Sequence, residues 1–297
     1  MPWAPWWPHP ASALVPSVAM ASGEGMAFLA GVTFLAAAIN SIAGGGTILT
    51  FPALEAVLPP GPARLVTANA TSTLGLWPGA FSAAWSSRGA REGIPGWTRV
   101  LVPVSVAGAV VGTLLVLVLP PAWFSAAVPW LILTAAMLFA FQPGSRGARP
   151  AGGGAEGPPS ARAVASTAVL QFAVAMYGGY FGAGIGILML AVLGCLGLGD
   201  IHRVNAVKNV LATTINGTTA LVFLAAAVLP GGLPGLAGAG TFGAALVSWP
   251  HVAVMAAASA LGGFAGVRLS SRLPATVVRR IVALIGFLLA GYHFLTS

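Results

Sequence analysis

The single lysine of this 297-residue chain, Lys208, lies inside an apolar stretch and is surrounded by amides and hydroxyls. Asn205, Asn209, Thr213 and Asn216 follow one another at spacings of four, four and three, which puts them on one face of a helix. A cation beside amide and hydroxyl donors suits a small oxyanion, and an ionisable group at membrane depth is a candidate functional group. A structural reading stands beside it. Lys208 is five residues from Arg203, about 7.5 Å of helical rise, so its ammonium could snorkel to the interface. A second polar stripe, Thr67, Asn69, Thr71, Ser72 and Thr73, occupies the matching place earlier in the chain, with Thr71 equivalent to Asn209.

Glycine clusters precede both stripes. Gly44, Gly45 and Gly46 lead into Thr47, and Gly182, Gly184 and Gly186 repeat the arrangement. Such runs let the backbone leave a helix and approach a ligand, while the next helix offers unpaired N–H groups and its positive dipole end to an anion. Tetrahedral oxyanions accept several N–H bonds at once. The competing reading is close helix packing through small residues, which accounts for the GxxxG pairs Gly108/Gly112 and Gly262/Gly266.

The elements that carry these residues follow from composition. Apolar residues make up 57% of the chain and charged ones 6%, with a mean hydropathy of +0.91. Such a chain cannot cover a core with water-compatible surface, so it belongs in a bilayer. Eight apolar runs have spanning length: 25–43, 66–85, 97–119, 122–141, 163–180, 203–228, 249–269 and 276–295. Two shorter runs, 47–58 and 185–198, follow the glycine clusters. Trp85, Trp97, Trp123 and Trp249 near segment ends fit an aromatic belt. The one cysteine, Cys195, excludes an internal disulfide.

Behind the net charge of +8, arginines sit between the apolar segments: Arg88, Arg91 and Arg99; Arg146, Arg149 and Arg162; Arg268, Arg272, Arg279 and Arg280. By the positive-inside rule these loops face the cytoplasm, and no nucleic-acid partner is expected. Residues 1–22, rich in Pro and Trp, lack the basic start of a signal peptide and read as an outward-facing interfacial segment. Residues 142–162 form a polar Gly/Pro-rich cytoplasmic linker. The linker joins two transmembrane repeats, 23–141 and 163–297.

The repeats are visible in the sequence itself. Residues 37–79 and 175–217 match at an offset of 138, through Gly44/Gly182, Gly46/Gly184, Val66/Val204, Ala68/Ala206 and Gly79/Gly217. The match resumes at an offset of 154, through Ser105/Ser259, Gly108/Gly262, Gly112/Gly266 and Pro120/Pro274, after an insertion placed around 229–239. With the loops at 86–96 and 142–162 both inside, the run from Val66 crosses inward and its counterpart from Arg203 crosses outward. The expected fold is therefore all-α, a polytopic membrane helix bundle built from two inverted-topology repeats with glycine-broken helices. Whether the short runs are full spans or re-entrant stays open.

Family resemblance enters at the glycine clusters. The runs AINSIAGGGTILTFPAL (38–54) and RLVTANATSTLG (64–75), with YGGYFGAGIGILML (177–190) and HRVNAVKNVLATTING (202–217), resemble the two repeats of the sulfite exporter TauE/SafE family. The resemblance extends from about residue 25 to 295. It implies an integral permease of the cytoplasmic membrane for small sulfur-containing anions such as sulfite or organosulfonates, sulfoacetate among them. Together with the residues above, it gives a candidate substrate site of Gly44, Gly45, Gly46, Thr47, Asn69, Thr71, Ser72, Gly182, Gly184, Asn205, Lys208, Asn209 and Thr213.

Energetics and exclusions complete the reading. Glu24, Glu92, Glu156 and Asp200 lie at or beyond segment ends; Glu55 alone lies within an apolar run, near its outer end, as an interfacial carboxylate or a proton carrier. Export of an anion from a negative interior needs no coupling ion, since the potential contributes about 2.3 kcal/mol per charge at 100 mV. His9, His202, His251 and His293 are scattered at segment ends, so no metal site and no cofactor are expected. Tyr177 and Tyr180, flanking the second glycine cluster, are read as packing residues able to donate a hydrogen bond. An enzyme would need acid–base groups at depth, which are absent. A secondary exporter working by alternating access is the leading class; a passive anion channel, or a permease for a non-sulfur anion, is the alternative. The GxxxG faces could pack within one chain or between two, which leaves oligomeric state open.

Overall fold

The structure, a computed structural model, describes residues 22–42, 46–86, 88, 96–141, 160–194, 201–229, 243–269 and 275–296. Among them are ten α-helices and no strand: α1 (Ser22–Ile42), α2 (Thr47–Val57), α3 (Arg64–Ser86), α4 (Leu101–Val118), α5 (Pro121–Phe141), α6 (Ala161–Tyr180), α7 (Ile185–Gly194), α8 (Ile201–Val228), α9 (Trp249–Leu269) and α10 (Ala275–Thr296). The all-α membrane bundle is the observed fold. Residues 1–21, most of the 142–162 linker, Cys195 and the insertion region at 230–242 lie outside the described residues.

Six stretches are long and apolar enough to cross a membrane: Gly23–Ser41, Thr98–Val118, Pro121–Phe141, Ala161–Tyr180, Arg203–Val228 and Trp249–Arg268. Two of the eight runs expected to span differ from these. The 66–85 run forms the 23-residue helix α3, but α3 is less apolar because its first half carries Asn69, Thr71 and Ser72, all buried against protein. The 276–295 run forms the 22-residue helix α10, whose apolar part is described over Arg280–Leu295. Helices α2 and α7 have 11 and 10 residues. At about 1.5 Å per residue each covers roughly half of a hydrocarbon core.

Helix pairing is set by small residues. α1 lies against α9, α6 against α4, α3 against both α9 and α8, and α5 against α10. At the α1–α9 contact Gly262 and Gly266 abut the backbone of Phe34 and Ala38; at the α4–α6 contact Gly108 and Gly112 abut the backbone of Phe172 and Met176. A methyl group at any of the four would overlap main chain, so both GxxxG faces are filled within this chain. The break between α6 and α7 is made by Gly182 and Gly184, whose φ angles of +81° and +78° suit residues without a Cβ.

Around that break sits an aromatic core. Phe51 of α2 meets Phe181 at 5.3 Å and Phe124 of α5 at 6.5 Å, and Phe124 meets Tyr180 at 5.5 Å. Large apolar side chains on the outer faces, including Trp85, Trp123, Leu261, Leu284 and Leu288, are exposed to the bilayer. The Arg88 guanidinium covers the Trp85 ring at 4.5 Å, as expected of a basic and an aromatic residue sharing an interface.

Candidate functional site

The two glycine-led breaks converge. Thr47, the first residue of α2, is buried, and a Cβ placed on Gly182 would be 3.6 Å from its Oγ1. Gly46 adopts ordinary right-handed helical geometry; its N–H points at Asn40 Oδ1, 3.5 Å away, and its carbonyl accepts from Leu49 and Thr50. Gly184 packs on Ala135 and Leu138 of α5. Gly44 and Gly45 lie outside the described residues.

Much of the polar stripe on α3 serves structure. The Ser72 hydroxyl is 2.7 Å from that of Thr50, both fully buried, and Thr71 accepts from the Ser248 N–H at 3.1 Å. Asn69 donates through Nδ2 to the Tyr180 carbonyl at 3.0 Å, which ties α3 to the end of α6. Its Oδ1 is buried without a hydrogen-bond partner. On α8, Thr213 shares its hydroxyl proton between the carbonyls of Ala80 and Asn209, at 2.9 and 2.8 Å. Asn209 is buried and engaged.

Among the buried donors without a hydrogen-bond partner in the described residues are Lys208 Nζ, Trp77 Nε1 and Tyr177 OH, with Thr33, Arg64, Ser86, Thr219 and His293 also contributing such atoms. Asn205 Oδ1 is a buried acceptor in the same condition. Buried polar atoms are ordinarily satisfied, and one left bare costs about 1–3 kcal/mol. Lys208 is 1% exposed, so its ammonium does not reach the interface, where the neighbouring Arg203 is exposed. Its helical neighbours Val204, Val207, Leu211 and Ala212 belong to an apolar cluster that also contains Met189 and Leu193 of α7.

The unpartnered groups occupy two levels along α8. Gly217 leaves room for the Trp77 indole, since a Cβ there would come within 2.7 Å of Nε1. Ile215 packs on Gly178, beside Tyr177. Lys208 lies seven residues before Ile215, about 10.5 Å along the axis toward Arg203. Nothing in the sequence singles out Trp77, and Tyr177 reads as a packing residue able to donate a hydrogen bond. The signal for Trp77 is Gly217, but it becomes legible only once α3 is known to face α8.

The sequence matches the family described as Sulfite exporter TauE/SafE over residues 29–293. A relative from Sinorhizobium sp, described as "Probable membrane transporter protein ORF9", is 35% identical over 123 residues. That match covers 40% of this chain and 44% of the relative, so the chain spans less than half of that protein's length. No solved structure matches the chain.

Proposed function

This chain belongs to the Sulfite exporter TauE/SafE family of membrane transporters, and from that premise we propose that it exports small sulfur oxyanions, sulfite or organosulfonates such as sulfoacetate, by alternating access. It is a multi-pass protein of the cell membrane. The observation that carries the reading is the enclosed, unpartnered ammonium of Lys208. A buried cation without a counter-charge is costly unless a mobile anion supplies one, and the N–H and O–H donors of Trp77 and Tyr177, about 10.5 Å further along α8, offer the anion a second station.

Alternating access draws support from the packing. Exchanging the halves 23–141 and 163–297 turns the α1–α9 pair into α6–α4, α2–α3 into α7–α8 and α1–α2 into α6–α7, all of which occur. The pairs α3–α8 and α5–α10 map onto themselves. In this reading the long–short helix pairs α1–α2 and α6–α7 enter from opposite sides, and their breaks come together at Thr47 and Gly182. The negative interior drives the anion outward.

The test is binding of sulfite, sulfoacetate, sulfate, acetate and chloride to the purified protein, read as thermal stabilisation, with Lys208→Ala alongside. Stabilisation by sulfur oxyanions that disappears in the variant supports the reading. Equal stabilisation by acetate would favour a non-sulfur anion, and currents too large for a carrier cycle would favour a channel.

A further inference from the structure

Glu55 and His293 are 238 positions apart in the chain, and the fold sets them against each other. Nε2 of His293 lies 3.2 Å from Oε2 of Glu55, with the two side chains 7% and 19% exposed. The contact is at ion-pair distance, yet no aligned hydrogen bond closes it. Both residues stand in the last turn of their helices, α2 and α10. A helix C-terminus favours a cation and disfavours a carboxylate, so an imidazole and a carboxylate placed together there form a pair whose charge matters to both helices. Arg64 does not join that pair, because its guanidinium donates to the Glu55 backbone carbonyl.

Of the other charged groups on the surrounding elements, Arg64 is the near one, held on the Glu55 backbone carbonyl. On α1, Glu24 stands in the first turn and is exposed. On α3 the charged residue is Arg64. On α10 the remaining titratable groups are Tyr292, in edge contact with the His293 ring at 5.7 Å, and the arginines at the opposite end of the helix. Helix α5, which packs on α10, contains no ionisable residue.

Helix α2 connects this pair to the anion site. Thr47, Phe51 and Glu55 follow at intervals of four and share one helical face. Along it, Thr47 meets Gly182, Phe51 meets Phe181, and Glu55 meets His293. The charge state of the last contact therefore bears on the helix whose first turn lines the break. Carboxylate and imidazole groups at membrane depth are the usual carriers of coupling protons, and histidine changes charge near neutral pH.

We propose that Glu55 and His293 form a proton-binding site at the outer end of α2, through which anion export is exchanged for protons entering from outside. This rests on the transport reading above. A proton from the external water adds to His293 Nε2, the ammonium-like ring pairs with the Glu55 carboxylate, and the pair discharges to the inside as the carrier returns.

The experiment uses the full chain in liposomes with the membrane potential clamped at zero, and radiolabelled sulfite as probe. Counterflow at equal pH tests transport; accumulation driven by a pH difference tests coupling. With one proton exchanged per anion, a one-unit difference in pH sustains about a tenfold sulfite gradient in the wild type. Glu55→Gln and His293→Gln are each expected to retain counterflow and lose the gradient, with Glu55→Asp recovering part of it. Two results would overturn the proposal: counterflow without any pH-driven gradient in the wild type, or a full gradient in both Gln variants. If the wild type shows no sulfite counterflow, the transport reading fails instead. Infrared difference spectroscopy then decides the pair by itself: a pH-dependent carboxylate band that is missing in Glu55→Gln supports the site, and its absence removes it.

Discussion

Thr47 and Gly182 belong to different halves of the chain, yet the hydroxyl of the first lies within contact distance of where a Cβ on the second would stand. The two helix breaks are thus one place in the molecule. Gly182 holds a φ of +81°, which a side chain makes costly. Gly182→Ala is expected to lower stability by about 1–2 kcal/mol and to weaken sulfite stabilisation. Gly31→Ala, at a helical site with open space around it, is the control and should leave the melting temperature unchanged or raised. Equal melting and binding in both variants would show that the break tolerates a side chain.

Lys208→Met separates the cost of a buried charge from its use. Removing an unpartnered ammonium from an apolar surround should leave stability unchanged or higher. Sulfite efflux should fall by at least about tenfold, equivalent to ~1.4 kcal/mol of lost interaction. Normal efflux from a stable Lys208→Met protein would take the lysine out of the anion's path.

Trp77→Phe removes an indole N–H while retaining an aromatic ring. Without anion, the variant should melt no lower than the wild type, because a bare buried donor has gone. With sulfite, apparent affinity should drop about five- to tenfold, near the ~1 kcal/mol of one hydrogen bond. An unchanged affinity would mean that Nε1 does not reach the anion.

Gly112→Ala and Gly266→Ala probe packing alone. Each places a methyl group into the backbone of the facing helix, Met176 in one case and Ala38 in the other. Both variants are expected to lose several kcal/mol, more than the ~1–3 kcal/mol usual for overpacking a core with side chains, and to elute as aggregates in size-exclusion chromatography. A monodisperse, well-folded product from either would show that the helix pair can separate without consequence.

Lipid contact explains which elements could be read from the sequence. α1, α4, α5, α6, α8 and α9 announce themselves because their outer faces meet hydrocarbon. The polar residues of α3 were legible as a stripe, but not their use: Thr71 and Ser72 are committed to Ser248 and Thr50, contacts made by tertiary pairing and by no local pattern. Lys208 stood out through composition, whereas its full burial required the fold. Glu55 and His293 each looked like an isolated end-of-helix residue, since nothing in a 238-residue separation signals contact.

The attachment of α3 to α9 also bears on how the chain is made. The Gly75 carbonyl and Gly79 N–H are met by the Ser259 hydroxyl, and the Ser82 hydroxyl by the Ala260 carbonyl, across 178 to 184 residues. During synthesis α3 emerges long before α9 exists. Its polar face must then be sheltered by the insertion machinery or by α1 and α2 until the sixth long apolar segment arrives. Membrane entry of the first half is accordingly completed by the second, and a chain that stops before Trp249 exposes the very helix that carries half of the candidate site.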